Sequence, residues 1–175
     1  MSATNRGAVR NPRDFYATPE AAFKPLLPYL PVYRRFYEPA CGDGRLVRWL
    51  RDSGRECDGA DLEPQDPAFP IRDFLKDTTP REFVITNPPF SIAEEFLKHA
   101  LEFSPEVLFL LRLNFLGSVR RHELLNRQPP AAMFVLSKRP SFTGRGTDAC
   151  EYAWIYWGKR FEGIFFPAVQ NRSKP

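Results

Sequence analysis

Val107 to Leu113 is an apolar run broken only by Arg112, and a run of that kind reads as a central strand buried on both faces. It commits the chain to a layered fold, because a strand apolar on both sides needs helices above and below it. Further short strands are expected over Val32–Tyr37, Cys57–Leu62, Phe83–Thr86, Met133–Ser137 and Ala153–Trp157, with a last extended piece over Gly163–Pro167. Helical spacing falls between them. Thr18 as N-cap and Pro19 at the first helical position predict a helix to Leu27, ended by Pro28. Leu46, Val47 and Leu50 predict a second helix, stopped at Ser53-Gly54. Ser91 would cap a third that runs to Phe103, and Gly117–Gln128 is expected to be partly helical. The alternation implies an α/β fold with a mainly parallel seven-stranded sheet, helices on both faces and a late antiparallel hairpin.

In an open sheet of this type ligands bind beyond the carboxyl ends of the strands. The unusual polar residues fall there: Glu38-Pro39-Ala40-Cys41-Gly42-Asp43-Gly44, Asp61, Asp73-Phe74 and Asn87-Pro88-Pro89-Phe90. Gly42-Asp43-Gly44 alone is a tight turn needing positive φ. Asp61 at the end of the next strand strengthens a ribose reading, since a carboxylate there can accept two hydroxyl hydrogen bonds; Glu63 is close enough to compete. No third glycine follows at dinucleotide spacing, and Glu38 and Asp43 would repel a pyrophosphate but suit an amino group or a sulfonium.

Asn87-Pro88-Pro89-Phe90 reads as a site for an exocyclic amine on a planar ring. The Asn87 side-chain oxygen and the Pro88 backbone oxygen can accept from one amino group, the prolines stiffen the tip, and Phe90 offers a stacking face. Cys41 has no base near it in sequence and is expected to pack in its turn. The aromatics of Tyr152–Trp157 are expected to be sheet packing, and His99 and His122 to be surface residues.

Charge is unevenly spread. From Leu111 to Arg145 there are seven Lys/Arg against one acid, Glu123, whereas from Arg51 to Glu82 acids outnumber bases. A basic face for an anionic polymer beside an acidic pocket fits that pattern. No apolar run approaches the roughly 20 residues of a membrane span. The three cysteines, Cys41, Cys57 and Cys150, show no metal or disulfide spacing. These features lead to the expectation of a reduced, cytoplasmic, metal-free protein of one domain, residues 14–175, behind a basic arm over 1–13.

With these motifs in hand, the chain resembles the S-adenosylmethionine-dependent DNA amino-methyltransferases acting on adenine N6, especially the small phage-type enzymes. Phe15-Tyr16-Ala17-Thr18-Pro19 looks like the N-terminal cofactor-contacting segment, Glu38–Gly44 like the loop around the cofactor's methionine part, and Asp61-Leu62 like its ribose site. Asp73-Phe74 is similar to the pair that meets the cofactor adenine, and Asn87–Phe90 to the catalytic tetrapeptide, whose Asn87 is also expected to touch the cofactor. Their order resembles the gamma arrangement. The resemblance implies a Rossmann-like class I methyltransferase fold, S-adenosylmethionine as cofactor, and a double-stranded DNA adenine flipped into the pocket by a monomer or weak dimer, as in restriction-modification. RNA or protein-glutamine methylation, or a non-catalytic relative, are the alternatives. Larger relatives carry a separate target-recognition domain; here recognition would fall to loops, with Arg120, Arg121, Lys138, Arg139 and Arg145 as DNA contacts.

Overall fold

The computed structural model describes residues 16–142 and 146–167, so Phe15, Arg145 and the arm over 1–13 lie outside the described residues. Seven strands form one sheet: β1 (Phe36–Glu38), β2 (Cys57–Gly59), β3 (Phe83–Thr86), β4 (Val107–Arg112), β5 (Ala132–Val135), β6 (Tyr152–Trp157) and β7 (Gly163–Phe165). Their order is β2-β1-β3-β4-β6-β5-β7. All pairings are parallel except those of β6, which runs against both β4 and β5. The antiparallel pair β5–β6 is therefore present, but it is joined by the long connection 136–151 rather than by a tight turn.

Strand β4 shows why the sheet needs two covers. Leu108 and Leu110 pack with Phe23, Leu26 and Leu50 on one side, while Val107, Phe109 and Leu111 pack with Phe96, Leu97 and Ala100 on the other. The first cover comes from α1 (Glu20–Phe23), the 3-10 turn that follows it, and α2 (Arg45–Asp52). The second comes from α3 (Ala93–Phe103), joined by Leu124 and Leu125 of α4 (His122–Arg127). Every residue of Tyr152–Trp157 is buried, so that aromatic strand is packing. Trp154 Nε1 meets the Ala22 carbonyl at 2.8 Å, which ties α1 down to the sheet.

Several boundaries differ from the sequence reading, including β5, which runs Ala132–Val135 where Met133–Ser137 is expected. The first helix is one turn long and begins after Pro19, with no side-chain cap, so Thr18 is not its N-cap. It passes into a 3-10 segment, Lys24–Tyr29, because Pro25 and Pro28 have no N–H for the α ladder. β1 starts at Phe36; Val32 and Tyr33 stay exposed ahead of it. β2 ends at Gly59, and Asp61 makes only an isolated bridge to Ile71. Ser91 does not cap α3: it lies within a 3-10 turn over Phe90–Ile92, and Ile92 is the cap residue. His99 is not a plain surface residue, because its ring packs on Phe74 and Phe103 and its Nε2 lies 2.9 Å from the Asp77 carbonyl.

Candidate active site

Because β1 to β4 run in parallel, their carboxyl ends share one edge, and a cavity of about 560 Å³ opens there. It is lined by Tyr16, Ala17 and Thr18, by Glu38 to Cys41 with Asp43, by Asp61 to Glu63, by Asp73 to Leu75, and by Asn87 and Pro89. Segments distant in sequence thus meet at one place. Pro19 and Pro88 do not line it, and neither does Phe90.

The half of the site after β1 and β2 is held by backbone. Gly42 and Gly44 have φ of 52° and 74°, the left-handed region that glycine enters without strain. A Cβ on Gly44 would also overlap the Phe69 ring, which is buried against Gly44 and Gly59. The turn is laced to the exit of β2: Cys41 N–H donates to the Ala60 carbonyl at 3.0 Å and Ala60 N–H to the Glu38 carbonyl at 3.0 Å. Asp61 receives the Gly42 N–H at 2.7 Å on one oxygen and the Glu63 N–H at 2.9 Å on the other. Each oxygen keeps a second lone pair. Asp73 accepts from Leu75 N–H at 3.1 Å and pairs with Lys76, and Phe74 is buried against Phe96. Leu62 is exposed at the rim.

Glu38 is 2% exposed at the floor. Burial lifts its carboxyl from its ordinary 4.5 to about 8, although the Ala40 N–H, donating to Oε1 at 3.3 Å, opposes the rise. Asp43 behaves differently. Although burial works against its charge, the Arg45 guanidinium and N–H hold its carboxyl below the usual range, with Oδ2 and Nη2 2.6 Å apart. The expected negative charge of Asp43 is therefore already matched, and Arg45, which sequence reasoning passed over, lines the cavity beside it. Burial pushes the Cys41 thiol well above its usual pKa, so it packs in the turn as an inert group.

The half beyond β3 is built from side chains. Asn87 Nδ2 donates to the Tyr16 carbonyl at 2.7 Å, and this fixes the amide orientation because a carbonyl can only accept. Asn87 Oδ1 is then buried with no hydrogen-bond partner among the described residues. Phe90 does not offer the open face the sequence suggested. The Tyr16 ring stacks on it, 5.5 Å between centroids at 25°, and Phe142 meets both rings edge-on at 5.9 Å. Tyr152 and the Arg112 guanidinium complete the cluster, the latter 4.9 Å from the Phe90 centroid.

Two of the predicted DNA contacts are engaged within the protein. Arg120 pairs with Glu94 at 2.9 Å and Glu95 at 3.0 Å, and Arg121 donates to the Phe115 carbonyl at 2.8 Å while lying over its ring. Lys138 and Arg139 are exposed on the connection 136–151, which leaves β5 and returns to β6 on the edge that holds Asn87. The described residues include no cluster of His, Cys, Asp and Glu able to hold a metal, and no helix long and apolar enough to cross a membrane.

Solved structures share this fold. A chain from a type I R-M system superposes with a TM-score of 0.58 at 18% identity, over 85% of this chain and 44% of that one. The fold is that of the class I methyltransferases. A TehB-like SAM-dependent methyltransferase from Corynebacterium glutamicum matches at 0.55 and 14% identity, over 79% of this chain and 87% of that one. A dimethyladenosine transferase from Plasmodium falciparum matches at 0.53 and 11%, over 75% and 58%. The chain thus spans under half of the R-M chain and under two thirds of the Plasmodium enzyme. No family model and no curated protein matches the sequence.

Proposed function

We propose that this protein transfers a methyl group from S-adenosylmethionine to N6 of an adenine in DNA. The observation that carries the reading is Asn87, whose amide nitrogen is tied to the Tyr16 carbonyl and whose oxygen is a buried acceptor lacking a donor. Burying such an acceptor unpaired costs about 1–3 kcal/mol, so the group has a use. An exocyclic amine satisfies it. Together with the Pro88 carbonyl it accepts both N6 hydrogens, draws the nitrogen lone pair out of conjugation and aims it at an electrophile.

The residues present fit the cofactor. Bound S-adenosylmethionine supplies a methyl group on a positively charged sulfur. The Glu38 carboxyl at the floor, neutral at pH 7, ionises beside an approaching cation. The free lone pairs of Asp61 accept ribose hydroxyls, with Glu63 at the rim as the competing acid. Phe74 and Asp73 bound the space for a purine. Asn87 sits where this half meets the aromatic cluster, so positioning and lone-pair polarisation supply the rate enhancement.

On the acceptor side the target adenine displaces the Tyr16 ring from Phe90. Flipping costs a few kcal/mol and stacking on Phe90 returns roughly 1–3 kcal/mol. Lys138, Arg139 and Arg145 supply charge for the phosphate backbone. The likeness to an R-M chain supports a nucleic-acid acceptor. A second reading, RNA as acceptor, draws on the likeness to the 23S rRNA methyltransferase ErmE, with a TM-score of 0.52 at 18% identity over 76% of this chain and 64% of that one. Tritiated cofactor offered with unmethylated DNA, tRNA and a release-factor protein separates these: label in DNA is expected, and label in RNA or protein alone would reject the substrate.

A further inference from the structure

Arg112 stands out in the sequence only as a charge in an apolar run, and the reaction proposed above makes no use of it. Its surroundings are specific. Arg112 Nε donates to the Tyr152 hydroxyl at 2.8 Å and Nη2 to Asp148 Oδ2 at 3.1 Å, while the Tyr152 hydroxyl donates to that same carboxylate oxygen at 2.9 Å. The three groups close a ring of hydrogen bonds. Arg112 and Tyr152 are register partners across β4 and β6, whereas Asp148 belongs to the connection 136–151. The guanidinium carbon also lies 4.9 Å from the centroid of Phe90. From the far limb of that connection Phe142 leans on Phe90 and Tyr152, and the Asp148 N–H donates to the Pro140 carbonyl at 2.8 Å. The tip of β3, the start of β6 and the connection therefore all meet at one side chain.

A planar guanidinium can stack on a ring and fork to two acceptors at once, which an ammonium cannot do. We infer that Arg112 is a positioning residue for the target base, fixing the aromatic wall of Phe90 and Phe142 through its stack on Phe90 and its fork to Asp148 and Tyr152. The inference rests on the methyl-transfer reading given above. It touches none of the cavity's donor half, whose contacts are backbone hydrogen bonds to Asp61 and the Gly42 turn. Loosening the wall misplaces the accepting nitrogen without changing how the cofactor is held.

The test compares wild type, Arg112→Lys and Asp148→Asn, using unmethylated plasmid DNA with tritiated S-adenosylmethionine, calorimetric cofactor affinity and Tm. Arg112→Lys is expected to lower kcat/KM for DNA by about ten- to a hundredfold, as a small misplacement does. Asp148→Asn is expected to lower it less, and both variants should keep wild-type cofactor affinity. Should Arg112→Lys fail to fold, Asp148→Asn alone carries the comparison. Wild-type kcat/KM in the folded variants would overturn the inference. So would a loss matched by equal losses of cofactor affinity and Tm, because Arg112 would then only hold the fold. If wild type binds cofactor but labels no nucleic acid, the methyl-transfer reading fails first, and this inference fails with it.

Discussion

The two halves of the candidate site are built in opposite ways. The half proposed to hold the methyl donor (the donor half), after β1 and β2, is an open cavity whose shape is set by backbone hydrogen bonds and two left-handed glycines. The half proposed to take the acceptor base (the acceptor half), beyond β3, is a closed knot of rings and an ion pair, already filled by Tyr16 and Phe142. A preformed cleft suits a small molecule that arrives in one conformation. A filled cluster suits a partner that brings its own ring and its own energy of insertion. The division suggests that the donor site stands ready while the acceptor site opens only for a base that displaces Tyr16.

The sharpest break between the halves is expected at Asn87. Asn87→Ala should lower methyl transfer by roughly 10²–10³-fold, the usual loss of one preorganised polar group, while leaving calorimetric cofactor affinity intact. Lost cofactor binding as the main defect would place Asn87 in the wrong half. Phe69→Ala attacks the other half. Removing a ring buried against Gly44 and Gly59 should cost about 3–5 kcal/mol of stability, read by denaturant titration, and should weaken cofactor binding in the protein that remains folded.

Smaller effects sharpen the contrast. Tyr16→Ala uncovers Phe90 and should raise the affinity of cofactor-free protein for a duplex with an unpaired adenine, measured by fluorescence anisotropy; no change would mean that the ring does not obstruct the base. Glu38 gives a pH signature. Its carboxyl is neutral in the folded protein up to about pH 8 but ionises near 4.5 when unfolded, so stability falls as pH rises through that window. Glu38→Gln should remove the slope and stabilise the protein increasingly from about pH 5 to 8. Wild-type cofactor affinity should rise over the upper part of the same range, since a bound cation favours the ionised form, and the variant's should stay flat. Smallest is the charge on the connection: Lys138→Ala with Arg139→Ala should lower DNA affinity at low salt and reduce the slope of log K against log salt by about 2.

The same contrast explains what could be read from the sequence. The structural frame of the donor half is legible because it is local: glycines in a turn and an acid just past a strand; the strand Phe83–Thr86 that leads into Asn87 also has the bounds the sequence predicts. The sheet was legible for the same reason, as strand and helix periods speak for themselves. The acceptor half was legible only in Asn87. Its partner Tyr16 is 71 residues away, and the Arg112–Asp148 pair spans 36. No periodicity encodes such meetings, so the sequence shows Arg112 only as a charge in an apolar run, leaves Asp148 and Phe142 unmarked, and suggests an open Phe90. The first helix failed differently: Thr18-Pro19 is a sound start signal, but Pro25 and Pro28 inside the apolar stretch outweigh it.

The central claim, that one open half and one closed half cooperate through Asn87, is tested most directly by a crystal structure with a cofactor analogue carrying an amine in place of the methyl sulfonium. The account predicts the analogue in the donor cavity, its ribose at Asp61, and the amine directed at the Asn87 carboxamide beside the ring of Phe90. An analogue bound with its amine turned away from Asn87, or bound elsewhere on the protein, would contradict it.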